Sequence, residues 1–198
     1  MSEEALRTPG LIGPNAILQL LPVLDLSLGP ERRAQMLAAA GIIGLPDGRS
    51  MISEDDAARL HRQLRSEVPD VAPAIASAAG IATANYIMAH RIPRAAQWVL
   101  KALPRDRAAI MLSSAVEKHA WTFVGSGRFT ARDAWTFEIE RNPLIRGEMS
   151  EGCLCHWHAA VFERLYQSLV TPSCRCVETR CGAQSASETC RFNLTCEA

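Results

Sequence analysis

Net charge is missing from this sequence: 21 Lys and Arg balance 21 Asp and Glu. No long-range field therefore draws the chain to a nucleic-acid backbone, and nucleic-acid binding is not expected. Long apolar runs are missing too. Pro, Asp or Arg interrupts each apolar patch well short of the roughly 20 residues that a spanning helix needs, so no transmembrane segment is expected. The opening residues MSEEALRTPG lack the basic start and apolar core of a secretory signal. That predicts a cytoplasmic protein and leaves only peripheral membrane contact open.

Cysteine is absent from residues 1 to 152 and then abundant, with all seven at positions 153, 155, 174, 176, 181, 190 and 196. An odd number cannot all pair within one chain, and a reducing compartment opposes structural disulfides. Thiolate ligands are the expectation. The 198 residues, 48% of them apolar, suit a single domain over 1–198. Its 1–104 part reads as helical, and its 105–198 part as an α+β core with a Cys-rich metal site.

Helical periodicity runs from Gly13 to about Asp25 through Ile17, Leu18, Leu20, Leu21 and Leu24; Pro30 then opens a second helix, giving a helical hairpin. Ser53 and Asp56 resemble a capping box ahead of a surface helix bearing Ala57, Leu60 and Leu64. Residues 71–92 are rich in small side chains. Ala76, Ala79, Gly80 and Ala84 would let another backbone, or a flat ligand, approach closely. Pro93 and Pro104 bracket a short helix containing Trp98, and a further helical face carries Ile110, Met111 and Ala115.

The period then falls to two. Trp121 and Phe123 alternate, a Gly125–Gly127 turn follows, and Trp135, Phe137 and Ile139 alternate again, which predicts two antiparallel strands. Leu154, Trp157, Val161, Phe162, Leu165 and Leu169 return to helical spacing. Two short strands, 174–181 and 190–196, complete an α+β fold in which N-terminal helices pack on a small antiparallel sheet.

Zinc takes four ligands from thiolate, imidazole and carboxylate, often at a helix start and a hairpin. Cys155 falls in the first turn of the last helix, where free N–H groups favour a thiolate. Glu178 and Cys181 follow near a strand end, and Cys190 enters the next strand. Cys155, Glu178, Cys181 and Cys190 are the candidate metal ligands, with Cys153, Cys174, Cys176, His156 and His158 as nearby substitutes. Strict alternation would put Glu178 and Cys181 on opposite strand faces, so a strand end or bulge must turn one of them. The alternative is that the cysteines are small core residues, since Cys190, Phe192, Leu194 and Cys196 share a strand face.

A helix-start Cys, then Glu178-Thr179-Arg180-Cys181, then Cys190-Arg191-Phe192 resembles the four-vinyl-reductase domain family in its metal-binding members. The resemblance covers residues 105 to 196 and, more loosely, the GPNAILQLL and GIATANYIMAHRIP segments; it points to the branch tied to bacteriochlorophyll synthesis. It implies the NO-signalling and Golgi-transport type of ligand-binding fold and a homodimer through the helical half. It also implies a structural zinc and a magnesium-tetrapyrrole or chlorophyllide-type ligand, with magnesium chelatase or another pathway enzyme as partner and peripheral contact with the photosynthetic membrane. His119 and His90 are candidates to face such a pigment, and Trp98, Trp121 and Phe123 to stack on it; ordinary surface or core placement is the alternative for each.

The family label also implies reduction of an 8-vinyl group (four-vinyl in older numbering) on a divinyl chlorophyllide. That needs a hydride or electron donor. No G-x-G-x-x-G follows a strand, and the cysteine spacings do not match common ferredoxin patterns. A carrier for the pigment is the preferred expectation; a reductase drawing on an external reductant, and a dimeric assembly module, are the alternatives.

Overall fold

The computed structural model describes residues 10–184 and 188–196. In chain order these form β1 (Leu11–Ile12), α1 (Asn15–Leu18), α2 (Leu21–Leu28), α3 (Pro30–Ala39), β2 (Ile52–Ser53), α4 (Glu54–Glu67) and α5 (Ala72–His90). There follow α6 (Arg94–Ala102), α7 (Arg105–Lys118), β3 (Arg128–Ala131), β4 (Thr136–Glu140), α8 (His156–Leu169), β5 (Cys174–Arg180) and β6 (Thr189–Cys196).

Pro22 divides the first helical stripe into α1 and α2, because it can start a helix but cannot donate inside one. Gly29, at φ 88°, turns the chain into α3, and Arg33 closes the hairpin on Asp25 at 3.0 Å. Ser53 caps α4 by accepting from the Asp55 N–H at 3.2 Å, one residue earlier than the capping-box reading places it. The expectation of a surface helix fails for the inner face of α4, where Glu54, Ala57, Leu60, His61 and Leu64 are all buried.

The strand expected around Trp121 and Phe123 is also corrected. Residues Ala120–Thr122 form a 3-10 turn that continues the end of α7, and the Thr122 carbonyl accepts from the Gly13 N–H at 2.7 Å. The first long strand is β3, after the glycine turn. Glu54 explains that turn. Its buried carboxylate accepts from the Ser126 N–H at 2.6 Å and from its hydroxyl at 2.7 Å, and it pairs with Arg146 at 2.7 Å. A Cβ on Gly125, at φ 53°, would lie 2.1 Å from that carboxylate.

The main sheet is antiparallel in the order β3-β4-β6-β5. Phe137, Ile139, Cys190, Phe192 and Leu194 form its buried face, meeting α8 through edge-to-face rings such as Phe137–Phe162 at 5.1 Å and Phe162–Phe192 at 5.3 Å. On edge strand β5, the Cys176 N–H donates to Glu163 at 2.8 Å and the Cys174 carbonyl accepts from Gln167 at 3.0 Å. Side chains of α8 thereby occupy backbone groups that would otherwise be open to another strand.

Small residues on α5 serve helix packing. A Cβ on Gly80 would stand 2.4 Å from the Trp157 carbonyl and 2.8 Å from the Ala160 Cβ, so α8 lies directly on this position. The Trp157 indole N–H donates to Thr83 Oγ1 at 3.2 Å and fixes the register of the two helices.

Candidate metal centre

Three backbone features bring the four predicted ligands together. Cys155 is the N-cap of α8, where helix-start N–H groups leave room for anions. The β5–β6 register shifts between Glu178 and Arg180, so the strict alternation that would separate Glu178 from Cys181 is broken within two residues, as the sequence requires. Cys181 then lies just past the end of β5, and Cys190 enters β6 opposite Ile139.

One ligand atom from each of Cys155, Glu178, Cys181 and Cys190 lies within 4.8 Å of the other three. The Cys155 and Cys190 sulfurs are 3.2 Å apart. All three cysteines are buried, at 3%, 0% and 0% exposure for Cys155, Cys181 and Cys190. Glu178 Oε2 accepts from the Cys155 N–H at 2.8 Å, whereas Glu178 Oε1 is buried with no partner. Such an orphaned carboxylate oxygen beside three sulfurs fits a cation.

Electrostatics point the same way. Burial, followed by the charge of Cys181, raises the Glu178 carboxyl to about 7. Burial likewise pushes the Cys155 thiol well above its ordinary value, while hydrogen bonds from the Cys155 and Cys190 thiols hold Cys181 down. The cluster thus accommodates one thiolate by itself and disfavours four negative charges together. A divalent ion removes that conflict, and a cage of three thiolates and one carboxylate suits zinc. With four protein donors such a site is closed, which is a structural arrangement and not a catalytic one.

The substitute ligands take other roles. Cys153 is half-buried and donates its thiol to the Glu178 carbonyl at 3.3 Å; burial lifts it to about 11. Cys174 and Cys196 oppose each other across β5 and β6 with Cα atoms 4.1 Å apart and are joined in a disulfide. This corrects the expectation that a reducing compartment leaves every thiol free. His158 is fully buried beside Asn142, its Nε2 3.4 Å from the Phe123 carbonyl oxygen, and burial lowers it to about 4.

Asn142 was legible only as part of an Asn-Pro strand terminator. Its amide donates to Cys155 Sγ at 3.3 Å and approaches Cys190 Sγ at 3.9 Å, while its oxygen accepts from the Leu144 N–H at 3.1 Å. Nothing in the sequence signals that donor role. Asn142→Asp keeps the acceptor for Leu144 and replaces the donor with a charge facing sulfur. We expect metal affinity to fall by roughly 10–100-fold, read by competition with a chromophoric chelator; unchanged affinity removes Asn142 from the centre.

Beside the cage, an open cleft of about 300 Å³ lies between α5, α8 and β5. Ile81, Ala160 and Val177 supply apolar lining, His156 and Arg164 polar groups, and Glu178 forms part of its wall. His156 is half-buried, and burial lowers its pKa, which favours a neutral imidazole.

The structure does not gather the predicted pigment residues. His90 is exposed and pairs with Tyr86 at 4.5 Å. His119 is exposed, its Nδ1 2.8 Å from the Ala115 carbonyl oxygen. Trp98 and Trp121 are 77% and 58% exposed, and Phe123 packs on Phe129 and Phe162 in the core. None of the five lines the cleft. Sequence reasoning passed over the cleft because α5, α8 and β5 form it from widely separated segments.

Comparison with known proteins adds three findings. Residues 135–196 match the model of the four-vinyl-reductase domain. The chain is 48% identical over 185 residues to the bacteriochlorophyll synthase 23 kDa chain of Cereibacter sphaeroides, covering 92% of this chain and 89% of that one. It is 42% identical over 185 residues to the protein of the same description from Rhodobacter capsulatus, covering 92% and 86%. Among solved structures, an unliganded Fe(II) H-NOX protein from K. algicida superposes with a TM-score of 0.60 at 8% identity, covering 94% of this chain and 97% of that one. An oxygen-binding H-NOX domain related to soluble guanylate cyclases gives 0.53 at 8% identity, covering 94% and 96%. These likenesses establish the NO-signalling type of fold expected from the sequence and nothing about ligands.

Proposed function

The chain belongs to the family of the bacteriochlorophyll synthase 23 kDa chain and carries a four-vinyl-reductase domain, and from that premise we propose that it serves bacteriochlorophyll biosynthesis as a carrier for a magnesium-tetrapyrrole intermediate. In this reading a zinc ion held by Cys155, Glu178, Cys181 and Cys190 is structural, and the cleft beside it receives the edge of the macrocycle.

The observation that carries the reading is the double use of Glu178, which belongs both to the candidate cage and to the wall of the cleft. A metal that fixes Glu178 fixes the cleft. Ile81, Ala160 and Val177 offer apolar contact to a flat ring, and the neutral imidazole of His156 is the donor suited to a magnesium ion. At about 300 Å³ the cleft is at the small end of ligand sites, so part of the pigment stays exposed. That suits delivery to magnesium chelatase or another enzyme of the pathway.

An absorption titration of the purified protein with magnesium-protoporphyrin tests this. Saturable binding is expected, with affinity lowered about tenfold or more by Ala160→Trp, which fills the cleft, and with a changed Soret band in His156→Ala. Equal binding by all three proteins removes the cleft from the reading. Turnover of a divinyl pigment by the protein with a defined reductant would replace the carrier by the reductase that the resemblance implies.

A further inference from the structure

Helix α6 presents an unusual outer face. Gln97 donates to the Met88 and Ile92 carbonyls at 2.6 and 2.9 Å, and Leu100 is buried, so the orientation of the helix is fixed. At 100° per residue the opposite side carries Arg94, Trp98 and Lys101 in one stripe, with Ala95, Val99 and Ala102 beside it. All six are exposed, Trp98 at 77% and Val99 at 48%. From Arg91 to Arg107 the exposed charges are Arg91, Arg94, Lys101, Arg105 and Arg107 against Asp106 alone, in a chain with equal numbers of acidic and basic residues.

We propose that this face of α6 docks the protein on an anionic bilayer surface, with Trp98 and Val99 entering the headgroup boundary and the flanking Arg and Lys pairing with lipid phosphates. Trp beside Lys and Arg is the composition that favours the membrane interface, because the indole has an apolar body and a polar edge. A second copy of the chain is a poorer occupant. A two-fold interface sets a patch against itself, and here five cations would face five cations. The chain's overall neutrality does not oppose docking, since screening limits the interaction to charges within about 8–10 Å of the lipid surface.

The test is flotation of the full chain with vesicles of phosphatidylglycerol and phosphatidylcholine against vesicles of phosphatidylcholine alone. Binding is expected to the first and to be weakened in 0.5 M salt. Because one basic residue near an anionic surface changes partitioning by about fivefold, Arg94→Glu with Lys101→Glu should lower binding by more than about twentyfold. Trp98→Ala should lower it further and abolish a blue shift in tryptophan emission. These side chains are exposed, so thermal unfolding should not move, and a circular-dichroism melt checks that each variant is folded. Three results overturn the proposal: no binding, equal binding to uncharged vesicles, or binding that the variants leave intact. A concentration-dependent dimer that Trp98→Ala dissociates, without vesicle binding, would assign the face to a second copy. Pigment binding at the cleft is measured separately and is untouched by either result.

Discussion

Cys155→Ser with Cys181→Ser is expected to purify without the near-stoichiometric zinc of the parent chain and to melt about 10 °C or more below it. The double variant removes two of the four donors and the tie between the start of α8, the end of β5 and the start of β6. A structural zinc contributes about 10–16 kcal/mol in peptides that cannot fold without it. This chain has a core of its own, so a smaller share, roughly 4 kcal/mol, should appear as stability, and at about 2–4 °C per kcal/mol for a chain of this size the shift follows. Cys153→Ser is the control. Its thiol meets only the Glu178 carbonyl at 3.3 Å, and metal content should not change. Full zinc in the double variant would return the cysteines to simple core packing.

The same centre predicts opposite pH responses with and without metal. In the metal-free fold, burial raises Glu178 from 4.5 to about 7. Its contribution to stability is therefore complete below pH 4.5 and lost as pH rises through 7. Metal binding requires deprotonated ligands, so the metal-bound protein gains stability over the same interval. Melts at pH 5 and pH 8, with and without chelator, should cross in sign; parallel shifts would exclude Glu178 from the ligand set.

Gly80→Ala is expected to destabilise the protein by about 1–3 kcal/mol, although in an open helix this change gains about 1 kcal/mol. The new Cβ would stand 2.4 Å from the Trp157 carbonyl oxygen and 2.8 Å from the Ala160 Cβ. Neither is the end of a flexible side chain, so α5 and α8 must separate. Movement of α8 carries Cys155, His156 and Ala160 with it, and metal affinity and pigment titration should weaken together. Gly44→Ala, with no atom within 4 Å of its added Cβ, should leave the urea midpoint unchanged. Equal midpoints for both variants would mean that the helices do not touch at Gly80.

Much of this organisation was readable in advance where the signal is local. The stripe from Trp157 to Leu169 dictates α8, Pro93 and Pro104 delimit α6, and the alternation of Phe137 and Ile139 makes β4. Where two local patterns compete, sequence reasoning chose wrongly: Trp121 and Phe123 alternate as in a strand, yet residues 120–122 stay coiled because Thr122 bonds to Gly13, more than a hundred residues away. The surface reading of α4 failed for a related reason. Its charges are visible in sequence, but the contact that buries Glu54 is with Ser126 and Arg146.

For the metal centre, the sequence by itself determined which four residues to suspect, since donor type is a property of each side chain and Glu178 and Cys181 are neighbours along the chain. It determined as well that strict alternation could not bring those two together. Only the tertiary structure decided how the conflict is resolved, through the register shift after Glu178, and it alone joined Asn142 to Cys155 and separated His119, His90, Trp98 and Trp121 from the cleft. The physical reason is range. Backbone preference and ligand chemistry act within a few residues and are written in local order, whereas a hydrogen bond to sulfur or a cleft between α5, α8 and β5 exists only after burial of the Phe137–Phe162–Phe192 core has fixed the elements against one another.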